Sequence, residues 1–169
     1  MGTVVHRLLQ YLGKIGIDHI ESADVRRFEP VGRNMLACLG VPEARLKVAV
    51  EEICAALQAA LEDQRGQWIL SGQHQQASCE LALSGIRDGG IDRMVIDRTF
   101  VDEHGTRWII DYKTGTHTGG GVDEVLDREQ QRYRQQLQRY ASIMSKMEAN
   151  PIRLGLYFPL LGGWREWPY

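Results

Sequence analysis

The sequence predicts an α/β fold, a sheet accompanied by helices, and three observations carry that reading. Apolar residues recur at helical spacing over roughly the first third of the chain. Beyond Gln67 the period shortens to two, and glycine-containing turns punctuate the strands. A second long helical pattern then precedes two more strand-like pieces.

Residues 3–13 open the chain as a helix, with Val5, Leu8, Leu9 and Leu12 in one stripe and Gly13 near the stop. His6 lies beside that stripe. A loop or short helix and the segment GRNMLACLG lead to a long amphipathic helix from Pro42 to about Glu62. Proline suits its first turn, where no backbone donor is missed. Its stripe of Leu46, Ala49, Val50, Ile53, Leu57 and Leu61 reads as core packing. WILSG, SCELALSG, GIDRMVIDRTFV and TRWIIDYKT read as short strands in an antiparallel meander, with DEHG as a hairpin turn. A glycine-rich loop covers 115–121. The second long helix covers about 123–148, with Tyr133, Leu137, Tyr140, Ala141 and Met144 on one side. IRLGLYFPL and GWREWPY close the order as strands.

A length of 169 residues suits a single domain with a real core. Hydrophobic content of 43% and charge of 25% are those of an ordinary globular chain. No apolar run approaches the roughly 20 residues that span a bilayer. The start, MGTVVHRLLQYLG, lacks a basic region and a cleavage site, so it is not a secretory signal. His6 stands where a myristoylation pattern needs Ser or Thr. Cys38, Cys54 and Cys79 are odd in number and widely spaced among apolar neighbours. They read as reduced core residues of a cytoplasmic protein, not as disulfides or a metal cluster. A net charge of −2 does not advertise a nucleic-acid binder, yet local basic stripes matter more than the total.

The chemistry concentrates in WIIDYKTGT, from Trp108 to Thr116. Period two puts Asp111 and Lys113 on one face and Ile110 and Tyr112 on the other. Asp92, in GGIDRMV, lies on the preceding strand, and antiparallel pairing is expected to bring it near Asp111. Two adjacent carboxylates repel unless a cation lies between them. Such oxygen donors suit Mg²⁺ or Mn²⁺, which keep several waters and contact phosphate. A lysine beside the metal can orient a water or neutralise a developing negative charge. The pattern therefore fits metal-assisted phosphodiester hydrolysis. Taken alone, an Asp-x-Lys pair in a strand is more often a surface ion pair.

GTVVHRLL, GGIDRMV, WIIDYKTG and YRQQLQRY occur in that order across nearly the whole chain. In this the sequence resembles the RecB-type nuclease family of the PD-(D/E)xK superfamily. The resemblance implies a restriction-endonuclease-like fold: a mixed central sheet flanked by helices, over 1–169. It implies metal ligation by His6, Asp92 and Asp111, with the Tyr112 carbonyl completing the shell, and a catalytic role for Lys113. Gln136 and Tyr140, one helical turn apart, are expected near the site, supporting it or touching DNA backbone. Glu80 matches an acid one strand earlier, with three readings open: support behind the ligands, a ligand, or a solvated strand residue. Mg²⁺ is the implied ion, with Mn²⁺ expected to serve as a substitute because an imidazole is a softer ligand than Mg²⁺ prefers. The iron–sulfur cluster of some relatives is not expected, because three scattered cysteines cannot hold one.

The implied activity is a DNA exonuclease that processes DNA ends in recombination and repair. Its setting would be the C-terminal end of a helicase–nuclease polypeptide, with a partner subunit and no membrane. Arg128, Arg132, Arg134 and Arg139, on the helix of Gln136, are candidates for tracking phosphates. No G-x-x-x-x-G-K-[ST] pattern occurs, and GTHTGGG lacks the lysine of a phosphate loop. Trp164 and Trp167 are expected to pack in the core or at a sheet edge rather than stack on bases. Two rivals remain at this level: a non-catalytic DNA-binding or subunit-contact module of the same fold, and an RNA-directed nuclease.

Overall fold

A computed structural model describes residues 1–18, 20–87, 90–115 and 121–169, with the side chains of Ala23, Ile86 and Arg87 excepted. Most of the glycine-rich loop expected at 115–121 lies outside the described residues. The chain divides into two compact units. One is helical and begins at the N-terminus; the other holds most of the sheet and the last helix.

In the helical unit, α1 spans Gly2–Ile15 and buries Val4, Val5, Leu8, Leu9 and Leu12. A 3₁₀ segment, Ser22–Phe28, leads into α2, Glu29–Cys38. The long helix α3 runs Glu43–Glu62 with Pro42 as its N-cap residue. Leu46, Val50, Ile53, Leu57 and Leu61 are buried as the stripe predicts. The short 3₁₀ turn Pro159–Leu161 also packs on α3.

α4, Gln64–Leu70, corrects the strand expected at WILSG. The Asp63 side chain accepts hydrogen bonds from the backbone amides of Arg65 and Gly66, both at 3.2 Å. That cap satisfies donors a helix start leaves bare, and it overrides the β preference of Trp and Ile. The cysteine reading is also corrected in part. Cys79 is buried, Cys54 is half-buried, and Cys38 is exposed at the last position of α2.

The sheet orders its strands β1-β2-β3-β4-β5. These are Gln75–Arg87, Gly90–Val101, Arg107–Tyr112, Ile152–Phe158 and Gly163–Pro168. β1, β2 and β3 form the expected antiparallel meander, while β3 and β4 run parallel. A parallel pair needs a long crossover, and α5, Val122–Met144, supplies it. The helix stops short of the expected 148. Its buried Val125, Leu126, Leu137, Ala141 and Met144 face the sheet.

β2 is twice the length of β3. β2 pairs with β3 from Arg98↔Ile110 to Val101↔Arg107, and Gly90–Ile96 continue beyond β3 as a two-stranded ribbon with β1. α5 supports that ribbon where Ile143 lies against Gly85, leaving no room for a Cβ. Trp164 covers Gly155 in the same manner, and Trp167 is 4% exposed, so both rings are packed as expected.

Arg107, only 4% exposed, joins distant parts of this unit. Its Nε and Nη2 donate to the two carboxylate oxygens of Glu148 at 2.6 and 2.7 Å. Nη1 donates to the Gln76 carbonyl at 3.2 Å. Gln76 has φ 48° beside the register shift in β1. Such a bulge re-aims the backbone, here toward the guanidinium.

Candidate active site

The tripeptide Ile-Asp-Arg occurs twice on β2, as Ile91-Asp92-Arg93 and Ile96-Asp97-Arg98. The interval is odd, so on a strand of period two the two aspartates leave opposite faces. Register then separates them further. Asp92 pairs with Gly85 of β1, in the ribbon beyond β3. Asp97 precedes Arg98, whose partner is Ile110, so the next position across is Asp111. The pairing expected to bring Asp92 beside Asp111 instead brings Asp97. Asp97 Oδ2 accepts a hydrogen bond from the Tyr112 amide at 2.8 Å, one peptide from Asp111.

The row extends to β1. Cys79↔Arg98 and Leu81↔Ile96 bracket Glu80, which therefore stands opposite Asp97. Glu80 is exposed and adopts φ 53°, a left-handed backbone that costs a non-glycine residue roughly 1 kcal/mol or more. Three neighbouring strands thus carry Glu80, Asp97 and Asp111 in one row. Glu80 stays at its outer, solvated end.

Asp111 is 6% exposed at the carboxyl end of β3. From α5 the Gln136 amide donates to Asp111 Oδ1 at 3.4 Å and to the Tyr140 hydroxyl oxygen at 2.7 Å. The i, i+4 spacing expected to align these two side chains does so. Burial raises the Tyr140 phenol above its ordinary value; the Gln136 bond opposes the rise, and the Asp111 and Asp97 carboxylates add to it. Tyr140 is thus a neutral polar prop beside two carboxylates.

The opposite face is closed and aromatic. The Arg98 side chain is 1% exposed and donates to Cys79 Sγ at 3.3 Å. Tyr112 is also buried, and its ring meets Tyr157 edge-on at 6.4 Å. Burial holds the Tyr112 phenol well above its ordinary range; Arg98 opposes this and Asp97 reinforces it. The sequence Asp97-Arg98 therefore sends a carboxylate to one side of the strand and a guanidinium to the other.

His6 lies half-buried on α1, and Lys113 is the half-buried first residue after β3. Both belong to the helical unit. Among the described residues, no group of three or more His, Cys, Asp or Glu is arranged to hold a metal ion. Asp97 and Asp111 nevertheless put hard carboxylate oxygens at facing positions of β2 and β3. That suits a cation such as Mg²⁺, which takes one or two carboxylates and keeps water for its other positions.

Asp97 is the residue sequence reasoning missed. Strand parity and its spacing to the following hairpin were the signals that could have found it.

A family model described as the PD-(D/E)XK nuclease superfamily matches residues 1–161. No curated protein matches the chain. No helix among the described residues is long and apolar enough to cross a membrane.

Proposed function

Because the chain belongs to the PD-(D/E)XK nuclease superfamily, we propose that it hydrolyses DNA phosphodiesters using a divalent cation held by Asp97 and Asp111. The observation that supports this reading most is the tie between Asp97 Oδ2 and the Tyr112 amide, which positions two acids on adjacent strands at the start of Asp111-Tyr112-Lys113. Asp97 replaces Asp92 in the ligand set. His6 and the Tyr112 carbonyl keep their places as further ligands on the motif alone.

Mg²⁺, with Mn²⁺ as a substitute, would lower the pKa of a bound water and draw charge from the phosphate. The residues then divide the remaining work. The Tyr112 amide fixes the Asp97 carboxylate, and Gln136 fixes that of Asp111. Tyr140 holds Gln136 in turn, so each ligand oxygen is oriented before substrate arrives. Lys113 orients the attacking water and offsets charge gathering on the phosphate. Glu80, at the outer end of the row, supports the site from β1.

The finer proposal is an exonuclease acting at DNA ends within a larger cytoplasmic helicase–nuclease. It rests on the four ordered sequence motifs. Linear DNA and RNA incubated with Mg²⁺, Mn²⁺ or EDTA provide the test. Cation-dependent loss of DNA that disappears in Asp111→Ala supports the reading. Cleavage that survives EDTA or that substitution overturns it.

A further inference from the structure

Arg93 belongs to the first of the two Ile-Asp-Arg tripeptides, the one that does not reach Asp111. We propose that Arg93 and Arg139 together grip a backbone phosphate of a single nucleic-acid strand lying between the β1–β2 ribbon and α5. This rests on the nuclease reading and names positioning residues for its substrate.

Ribbon and helix enclose a cleft of about 580 Å³. Ala82, Ser84 and Arg93 contribute from the ribbon, and Gln136, Arg139 and Tyr140 from α5. Gln136 links the cleft to the catalytic row, since the same amide reaches Asp111 Oδ1. A strand lying there would run directly toward the two carboxylates. The volume falls within the roughly 300–1,000 Å³ of small-ligand sites, a size that suits nucleotides of one strand.

Charge and solvation favour phosphate. Asp92, Arg93 and Arg139 are the charged residues lining the cleft, so its balance is positive by one, in a chain whose net charge is −2. Both arginines are exposed and so open to a ligand, and a guanidinium is more weakly hydrated than an ammonium. A guanidinium fork matches phosphate oxygens, and the two come from opposite walls. Met94 and Val95 add apolar surface against which a base can pack.

The test is anisotropy of fluorescein-labelled oligothymidylate in EDTA, where no cleavage occurs, with salt varied from about 50 to 200 mM. Each phosphate contact on a single strand contributes about 0.7 to the slope of log K against log salt. Arg93→Ala and Arg139→Ala should each lower the slope by part of that amount and the double variant by the whole of it, so the double variant loses about 2.6-fold less affinity over the range. Arg93→Lys and Arg139→Lys should keep the slope, because the charge remains. Far-UV circular dichroism confirms that the variants are folded. Unchanged slopes in both alanine variants, or lysine variants that behave like alanine, would overturn the proposal. So would tighter binding of a duplex with the same arginine dependence. Failure of the nuclease reading would appear elsewhere, as no cation-dependent cleavage by the unaltered chain.

Discussion

Asp97 and Tyr112 are joined by a hydrogen bond of 2.8 Å from the Tyr112 amide to Asp97 Oδ2, which locks the acid of β2 to the backbone of β3 beside Asp111. Asp97→Asn should therefore lower cation-dependent cleavage by about 10² or more, the scale of losing one aimed electrostatic group. Asp92→Asn should retain most of the rate. Initial rates on linear DNA at saturating Mg²⁺ decide between them, and equal losses in both variants would remove Asp97 from the ligand role.

The two aspartates also show what the sequence could disclose. Ile-Asp-Arg is locally identical at both places, so composition cannot rank them. Strand parity and the distance to the hairpin turn can, because Asp97 stands opposite Asp111 only once β2 and β3 pair through the tight turn at Asp102–Gly105. The stripe of α3 and the pairing of Gln136 with Tyr140 were legible because helical spacing alone fixes them. α4 was not, since its cap at Asp63 outweighs the strand-like run that follows. The reach of Arg107 to Glu148 was hidden too, because it depends on tertiary packing across the whole length of α5.

Lys113 provides a separate test. Lys113→Ala should lose about 10²-fold or more in kcat while cation affinity changes little, because the ammonium acts on water and phosphate rather than as a ligand. Calorimetric titration with Mn²⁺ beside single-turnover kinetics checks this. A parallel collapse of affinity and rate would assign Lys113 to holding the site together.

Arg107 and Glu148 should matter to stability. Their side chains are 5% and 16% exposed, so removing one partner strands a charge with little solvent. Arg107→Ala should cost about 3–5 kcal/mol, which in a chain of this size lowers Tm by roughly 10 °C. Arg165→Ala, which releases Asp123 and Asp127 at 89% and 61% exposure, should cost less than about 1 kcal/mol. Calorimetry of both variants makes the comparison, and similar losses would contradict it.

Asp102 gives a pH dependence of known sign. Burial alone would raise its carboxyl, but bonds from Trp108 Nε1 and from the Thr106 and His104 amides, with the nearby His104 imidazole, outweigh that and hold it below the ordinary 3.8. A value lower in the folded than in the unfolded chain means stability present above about pH 4 and lost as pH falls through the folded value. The Tm difference between the unaltered chain and Asp102→Asn should be largest near neutrality and shrink below pH 4. Trp108 fluorescence reports the same transition, and a gap that widens on acidification would reverse the sign.

The parallel pairing of β3 with β4 also fixes a time order. Arg107 and Ile152 are neighbours in the sheet, yet the 23 residues of α5 and the segments on either side of it lie between them in the chain. The β1–β2 ribbon pairs strands that follow one another in the chain and can form early, whereas the β3–β4 pair must await a long loop closure. Asp111 is then seated between its strand neighbours only after the crossover helix has brought Gln136 to it. A chain emerging from the ribosome carries Asp111 for about 2–9 s before the β4 strand that pairs beside it is complete. The surroundings of Asp111 are therefore complete only after the chain has been made as far as Phe158.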